Sequence, residues 1–276
     1  MADATATPIA LTIAGSDSSG GAGIQADLKT FTVLGVYGAS VLTALTAQST
    51  RGVDAILPVP PEFVTQQIDA VAGDLDIAAT KTGMLNDRAT VLAVAAGVRR
   101  HALHPLVVDP VMVATSGDML LQPDAVEAVR HELLPLADVI TPNLAEAARL
   151  LDRLQATGEE EMEAQARALL ALGPKAVLIK GGHGEGSEAL DILVTRDAAP
   201  LRLALARVAT PNTHGTGCTL SAAITAYLAC GAPLEEAVSA AKRYVHAALE
   251  AATGAKIGTG AGPVDHLHSL RNPRKG

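Results

Sequence analysis

Short apolar runs alternate with segments of helical spacing along almost the whole chain. The apolar runs end in Gly, Pro or a polar residue, a pattern that predicts buried strands. The predicted strands lie at 9–14, 39–47, 76–82, 106–110, 137–142 and 176–180. Helical periodicity predicts helices at 24–34, 60–72, 87–100, 123–133, from Asn143 onward, and at 159–172, 219–230 and 233–252.

The order of these elements indicates the fold class. Strand and helix alternate, which is typical of a mainly parallel sheet covered by helices on both faces. Two further apolar runs, 190–195 and 201–208, follow each other directly and predict antiparallel strands. Because no linker, repeat or low-complexity segment interrupts the pattern, we predict a single domain over 1–276 with three α/β/α layers. We expect residues 1–8 and 268–276 to be flexible ends.

Composition and charge exclude several classes of protein. The 276 residues carry a net charge of −8, only 2% are aromatic, and no Lys/Arg run occurs before the short tail. Nucleic-acid binding, which requires a basic surface and stacking side chains, is therefore not expected. The N-terminus has neither the basic nor the apolar region of a signal peptide, and no uncharged apolar run approaches the ~20 residues of a membrane span.

The two cysteines, Cys218 and Cys230, indicate a reducing compartment. Twelve residues of helix would separate them by ~18 Å at about 1.5 Å per residue, too far for a disulfide. No His/Cys cluster has the spacing of a structural zinc site. We therefore expect a cytoplasmic protein.

Polar side chains follow the carboxyl ends of several predicted strands. They are Gln48, Asp109, Thr141, Asn143, Glu146 and Lys180. In a doubly wound sheet this edge binds ligands. Two acids and an Asn suit Mg²⁺, a Lys suits phosphate, and a Gln can both donate to and accept from a heterocycle. Two simpler interpretations remain: Gln48 as a solvated strand end, and Asn143 with Glu146 as a capping box that begins a helix.

The turn 213–218 (THGTGC) lies directly before the long apolar helix. Gly215 and Gly217 would let an anion approach the free N–H groups and the positive dipole end of that helix. An ordinary glycine-rich loop before a core helix is the alternative. The charged residues at the other strand ends favour an anion hole, which stabilises the charge on a transferring phosphoryl group.

The first glycine-rich loop, 15–23, is not a known phosphate loop. Gly21 and Ala22 stand where a Walker A motif needs Lys and Ser or Thr, and the spacing does not fit a dinucleotide fingerprint. This loop could bring the backbone close to a small ligand, or it could be a tight structural turn.

The polar residues at the strand ends and the turn 213–218 together indicate a small-molecule kinase, and the first loop shows that it has no P-loop.

Seven motifs in order resemble one known family. They are 15–27 (GSDSSGGAGIQAD), 43–48 (TALTAQ), 81–85 (KTGML), 108–112 (VDPVM), 141–146 (TPNLAE), 180–183 (KGGH) and 213–218 (THGTGC). Together they are similar to the hydroxymethylpyrimidine/phosphomethylpyrimidine kinases of thiamine biosynthesis, in the ribokinase-like superfamily. The resemblance runs from about Ile9 to His266. It implies a ribokinase-like fold, ATP and Mg²⁺, and two successive phosphorylations of 4-amino-5-hydroxymethyl-2-methylpyrimidine.

The resemblance also implies roles for individual residues. Gln48 would bind the pyrimidine edge, together with Gly15, Asp27 and Met84. Asp109 and Glu146 would hold magnesium. Lys180, Asn143, Thr213 and Lys242 would contact ATP. Gly215, Thr216 and Gly217 would form the anion hole beside Cys218, with Lys180 neutralising phosphate charge.

Cys218 stands where ribokinase-like sugar kinases carry an Asp as general base. A helix N-terminus can lower a thiol pKa from about 8.5 by a unit or more, so we expect Cys218 to be able to take the hydroxyl proton.

Two alternative functions are compatible with this scaffold: a pyridoxal kinase and a non-catalytic pyrimidine sensor. The stretches 47–48 and 83–85 favour the pyrimidine. The presence of Asp109, Glu146, Lys180 and Cys218 together argues against a sensor. Family precedent suggests a homodimer.

Overall fold

The computed structural model describes residues 7–113, 120–182 and 186–271. Its strands form one nine-stranded sheet in the order β3-β2-β1-β4-β5-β6-β7-β8-β9. Their bounds are β1 Ile9–Asp17, β2 Tyr37–Ser49, β3 Gly52–Pro58, β4 Ala79–Thr82, β5 Leu106–Val108, β6 Val139–Ile140, β7 Ala176–Lys180, β8 Glu188–Thr195 and β9 Leu201–Ala206.

The centre of the sheet is parallel. Every neighbouring pair from β2 through β1 and β4 to β7 is parallel, whereas β3, β8 and β9 pair antiparallel at the two edges. The expected mainly parallel sheet is confirmed, and so is the antiparallel pairing of the strands predicted at 190–195 and 201–208. The carboxyl ends of the parallel strands therefore share one edge of the sheet.

Helices cover both faces. They are α1 Gly23–Val33, α2 Pro61–Ala72, α3 Arg88–His101, α4 Pro123–Ala128, α5 Leu144–Leu151, α6 Glu159–Leu170, α7 Thr216–Ala229, α8 Leu234–Ala252 and α9 His268–Arg271. None of the helices in the described ranges combines the length and hydrophobicity needed to cross a membrane.

Alternation along the strands creates two cores. Leu11 of β1 joins a cluster with Ile68 of α2, whereas its neighbour Ala10 joins a cluster with Phe31 of α1 and Ala222 of α7. Because successive strand residues point to opposite faces, each short apolar run supplies both cores. The three-layer α/β/α architecture is confirmed.

The structure corrects several element boundaries. β3 is not predicted from the sequence, because its side chains are mostly exposed at the sheet edge and show no regular alternation. The helix predicted at 123–133 ends at Ala128 and continues as a π-helical segment, Val129–Leu133. The strand predicted at 76–82 is regular only over its last four residues.

The predicted flexible ends fall mainly outside the described residues. Within the described part, Pro8 accepts a hydrogen bond from Tyr37 just before β1. His268–Arg271 forms a helical turn, and Arg271 lies 2.6 Å from Asp265. His183 of the 180–183 motif and most of the irregular segment expected at 111–118 also lie outside the described residues.

Candidate active site

The carboxyl edge of the parallel strands brings Asp109 and Lys180 together. Asp109 follows β5 and Lys180 ends β7, and Lys180 Nζ lies 2.9 Å from Asp109 Oδ1. The hydroxyl of Thr141 donates to the same carboxylate at 3.1 Å, and that of Ser221 on α7 donates at 3.2 Å. Burial alone would raise the pKa of Asp109, but the charges of Lys180 and Lys81 hold it below its usual value. The side chain of Asp109 is therefore ionised.

The N-terminus of α7 faces this ion pair. Gly215 is its N-cap, with φ 80°, and a Cβ on Gly217 would lie 3.4 Å from Lys180 Nζ and 3.8 Å from Asp109 Oδ2. The Thr216 N–H donates to the Thr213 carbonyl at 3.2 Å. The next N–H groups at a helix N-terminus have no acceptor within the helix, so they are available to an anion placed beside Lys180. The turn 213–218 thus lies at the same edge as the charged strand ends, as an anion hole requires.

Glu146 and Asn143 form a capping box at the start of α5, which is one of the two interpretations that their sequence spacing allowed. The Glu146 N–H donates to Asn143 Oδ1 at 2.9 Å, and the Asn143 N–H donates to Glu146 Oε2 at 2.8 Å. The carboxylate still lies 4.0 Å from Lys180 Nζ. The pKa of Glu146 is raised to about 7, mainly by burial. The charge of Lys180 lowers this pKa, and the charge of Asp109 raises it further.

Asp109 and Glu146 are the carboxylates available for a metal at this edge. Within the described residues, no group of three or more His, Cys, Asp or Glu side chains is arranged to hold a metal ion. Mg²⁺ in kinases is usually bound by one or two carboxylates and by substrate phosphates, with waters completing the shell. Two buried carboxylates flanking Lys180 fit that mode of binding, and they do not fit a metal site made by protein alone.

Cys218 is a neutral thiol, contrary to the expected low pKa. Burial raises its pKa to about 11; the charge of Lys81 opposes this, whereas Asp27 and Asp109 add to it. The Gly23 N–H also donates a hydrogen bond to Cys218, which lowers the pKa. The expectation of a lowered pKa is wrong because desolvation by the surrounding protein outweighs the effect of the helix N-terminus.

Asp27 is fully buried in an ion pair. Its carboxylate lies 2.7 Å from Lys81 Nζ and accepts a hydrogen bond from Thr12 at 2.7 Å, and neither charged side chain is exposed. The charge of Lys81 acts on the pKa of Cys218, so the pair lies close to the thiol. Asp27 is thus engaged with Lys81.

Gly15, Met84 and Gln48 lie around the β1 and β2 ends. A Cβ on Gly15 would be 3.0 Å from Met84 Sδ, so these two residues are in contact. The side-chain oxygen of Gln48 accepts from Thr46 at 3.0 Å, and its backbone N–H donates to Ser18 at 2.8 Å. Gln48 lines a cavity of about 260 Å³ together with residues of the β2–β3 turn, His214, Gly260 and Ala261.

Lys242 and Thr213 complete the set predicted from sequence. Lys242 Nζ lies 2.7 Å from Asp191 Oδ2, and Asp191 Oδ1 accepts from the Gly181 N–H at 3.0 Å. Lys242 therefore contacts the segment just after Lys180 through Asp191. The Thr213 carbonyl accepts from the Thr216 hydroxyl at 2.6 Å, inside the turn before α7.

Sequence reasoning missed two buried histidines. His214 Nε2 lies 2.8 Å from Asp17 Oδ2. His266 Nε2 lies 3.0 Å from the Thr219 hydroxyl, and burial lowers the pKa of His266 to about 4. Both histidines are buried, His214 against Asp17 of β1 and His266 against Thr219 of α7. Their partners are distant in sequence, so no local pattern indicated either contact.

The three-layer fold, the basic group at a strand end and the glycine turn at a helix N-terminus define a ribokinase-like small-molecule kinase. The family model for phosphomethylpyrimidine kinase matches residues 17–265. The chain belongs to this phosphomethylpyrimidine kinase family.

Individual relatives agree with the family match. The hydroxymethylpyrimidine/phosphomethylpyrimidine kinase of Rhizobium meliloti is 61% identical over 262 residues, 95% of this chain and 98% of that protein. A phosphomethylpyrimidine kinase structure from Clostridium difficile is 44% identical, with TM-score 0.76, over 86% of this chain and 97% of that chain. An ADP complex of Bacillus subtilis pyridoxal kinase is 38% identical, with TM-score 0.89, over 97% of this chain and 100% of that chain.

Proposed function

We propose that this kinase transfers phosphate from ATP to 4-amino-5-hydroxymethyl-2-methylpyrimidine and then to its monophosphate, in thiamine biosynthesis. The observation that carries the proposal is the position of the α7 N-terminus beside the Asp109–Lys180 pair. Phosphoryl transfer depends mainly on positioning and on stabilising charge, and these groups supply both. The whole chain, 1–276, would act as one kinase domain.

The ATP side of the site is assigned to the residues around β6 and β7. Lys180 would neutralise charge on the transferring phosphoryl group, with Asn143, Thr213 and Lys242 bordering the nucleotide. Asp109 and Glu146 would hold magnesium, which neutralises charge on the phosphates when bound. With its pKa near 7, Glu146 becomes a better metal ligand as the pH rises through neutrality.

The acceptor side is assigned to the residues around β1 and β2. Gln48 would hydrogen-bond the pyrimidine edge, and the contacting pair Gly15 and Met84 would border the ring. Asp27 is fully buried against Lys81, so it would support the acceptor side without touching the ring.

The transferring group would lie over Gly215, Thr216 and Gly217, and the N–H groups of this turn that have no acceptor in the protein would stabilise its charge. Cys218 would accept the proton of the substrate hydroxyl. The hydrogen bond from Gly23 and the charge of Lys81 support the thiolate that this step requires. Removing the thiol should therefore lower turnover strongly, whereas binding of the pyrimidine should persist.

A pyridoxal kinase activity is the second candidate, favoured by the similarity to the Bacillus subtilis pyridoxal kinase. It would use the same phosphate-handling residues, so only the pocket for the ring distinguishes the two substrates. We expect the pyrimidine to be preferred.

Product analysis tests the proposal. The purified full chain is incubated with ATP, Mg²⁺ and the hydroxymethylpyrimidine, with and without pyridoxal as competitor, and the products are identified by mass spectrometry. We expect the monophosphate first and the diphosphate later. Lys180→Met, purified in the same way, is the control for contaminating kinases and should form neither. A wild-type protein that forms no phosphorylated pyrimidine would refute the proposal.

A homodimer and a cytoplasmic location are proposed with the function. Leu45 and Leu57 are cross-strand partners on β2 and β3, 43% and 64% exposed, and an apolar pair of this kind at a sheet edge favours contact with a second copy. Sedimentation should show a dimer that Leu57→Asp weakens. Cys218 and Cys230 are both free thiols, as in a reducing compartment.

A further inference from the structure

Asp17, at the end of β1, is a buried carboxylate with an unusual number of donors. It accepts from the N–H groups of Ser19, Gly21 and Ala22 at 2.8, 3.1 and 2.8 Å, and from the Ser19 hydroxyl at 2.7 Å. Only 1% of Asp17 is exposed. Burial alone would raise its pKa, but these hydrogen bonds and that of His214 hold it below the usual range.

His214 approaches this carboxylate from the turn before α7. Its Nε2 lies 2.8 Å from Asp17 Oδ2. Because an ionised carboxylate can only accept, Nε2 carries the proton and donates it. The backbone of His214 is fixed as well: its N–H donates to Gly262 at 3.0 Å, and its carbonyl accepts from Val264 at 3.3 Å. His214 is thus held through both its side chain and its backbone, directly before the N-cap of α7.

The loop that follows Asp17 and the turn that follows His214 are in close contact. A Cβ on Gly21 would overlap the His214 ring, and a Cβ on Gly215 would overlap the Gly21 carbonyl. At the far end of the same loop, the Gly23 N–H donates to Cys218. The two segments therefore touch at both ends, and Asp17–His214 is the hydrogen bond between two side chains among these contacts.

We propose that Asp17 and His214 are positioning residues that fix the N-terminus of α7 relative to the β1–α1 loop. The inference rests on the proposed function, in which the turn 215–218 stabilises the transferring phosphoryl group and the loop borders the pyrimidine. Asp17–His214 would then set the distance between the acceptor and the anion hole. Neither side chain touches a reacting atom.

Loss of this contact should lower turnover more than binding. A misplacement of about 1 Å at a reacting centre can cost roughly 10²-fold in rate, whereas ground-state contacts of ATP remain. We therefore expect kcat to fall about 10²-fold in His214→Ala, with little change in the KM for ATP. The affinity for MgADP should stay near that of wild type.

The matched pair His214→Gln and His214→Asn provides the sharpest test. Both replace the ring by an amide, but only the longer Gln can place its nitrogen where Nε2 lies. We expect His214→Gln to recover most of the wild-type kcat and His214→Asn to resemble His214→Ala. Asp17→Asn should lower kcat similarly, and the double variant with His214→Ala should be no worse than the singles.

A transition-state mimic separates positioning from a loss of folded protein. Calorimetry with MgADP, aluminium fluoride and the pyrimidine should show weaker binding in His214→Asn, whereas binding of MgADP alone is unchanged. Leu169→Ala, in the buried face of α6, controls for lost stability. His101→Ala controls for loss of a surface His–Asp contact, since His101 lies 2.7 Å from Asp69 on the outer surface. Both controls should keep wild-type kcat and binding of the mimic.

Equal turnover in His214→Gln and His214→Asn would overturn the inference, and so would additive losses in the double variant. If His214→Ala does not fold, the Gln and Asn variants still decide. An inactive wild-type protein would instead refute the proposed function, so the two failures are distinguishable.

Discussion

The raised pKa of Cys218 leads to a pH dependence that tests its assignment as the base. Only the thiolate can accept a proton, and with a pKa of about 11 roughly one molecule in 10⁴ carries it at pH 7. At about 1.4 kcal/mol per pH unit, forming the thiolate at pH 7 costs about 5 kcal/mol. Between pH 8 and pH 10 the thiolate fraction rises about 100-fold, so log kcat/KM should rise with a slope near one.

The assay is the initial rate of phosphorylation with limiting hydroxymethylpyrimidine and saturating MgATP from pH 8 to pH 10. This range lies above the pKa of Glu146, so titration of that carboxyl does not contribute to the slope. Cys218→Ala should lose about 10²- to 10⁴-fold in rate and show no slope. Cys230→Ala changes the other free cysteine, at the opposite end of α7, and should keep the wild-type profile.

Two results would refute this reasoning. A wild-type profile that is flat from pH 8 to pH 10 would mean that no thiolate with a pKa near 11 limits the rate. An equal rise in Cys218→Ala would assign the titration to another group. In either case Cys218 would be a packing or substrate-contact residue.

Three further predictions concern stability and the turn before α7. The folded-state pKa of Glu146 is raised, so its protonated form stabilises the fold below pH 4.5, and this contribution is lost as the pH rises through about 7. Glu146→Gln should therefore be more stable than wild type at pH 8, by up to about 3 kcal/mol. Near pH 4 the two proteins should have equal free energies of unfolding, measured with urea. Lys81→Met leaves the Asp27 charge buried and unpaired and should lower the free energy of unfolding by about 3–5 kcal/mol, whereas the double variant with Asp27→Leu should regain most of it. Gly215→Ala should lower both Tm and kcat, because its Cβ would overlap Gly21 at a positive φ; a wild-type Tm would contradict the observed packing.

The fold could largely be predicted from the sequence because its strands are buried. The runs at 9–14, 106–110 and 176–180 are apolar on both faces, as a central parallel strand requires, and each lies within or overlaps an observed strand. β3 could not be predicted in this way. It is stabilised by pairing with β2 at an exposed edge, and its own pattern carries no hydrophobic periodicity.

The candidate site was predictable only in its location. Strand ends and a glycine turn indicate where Asp109, Lys180 and the anion hole lie, because the topology of a parallel sheet brings them to one edge. The electrostatics depend on three-dimensional burial, which no spacing reports. For this reason the thiol pKa of Cys218 was predicted in the wrong direction, and the Asp27–Lys81 pair was not predicted.

The contact between Asp17 and His214 also has a consequence for the order of folding. The two residues are separated by 197 positions in the chain, and His214 is itself fixed by Gly262 and Val264. Closing so long a loop costs chain entropy before any local contact compensates for it, so pairings of this kind form late. On the ribosome, the turn that stabilises phosphoryl transfer cannot reach its final geometry until residues 262–264 have emerged. A nascent chain that already carries Asp109, Lys180 and Cys218 would therefore lack a competent site.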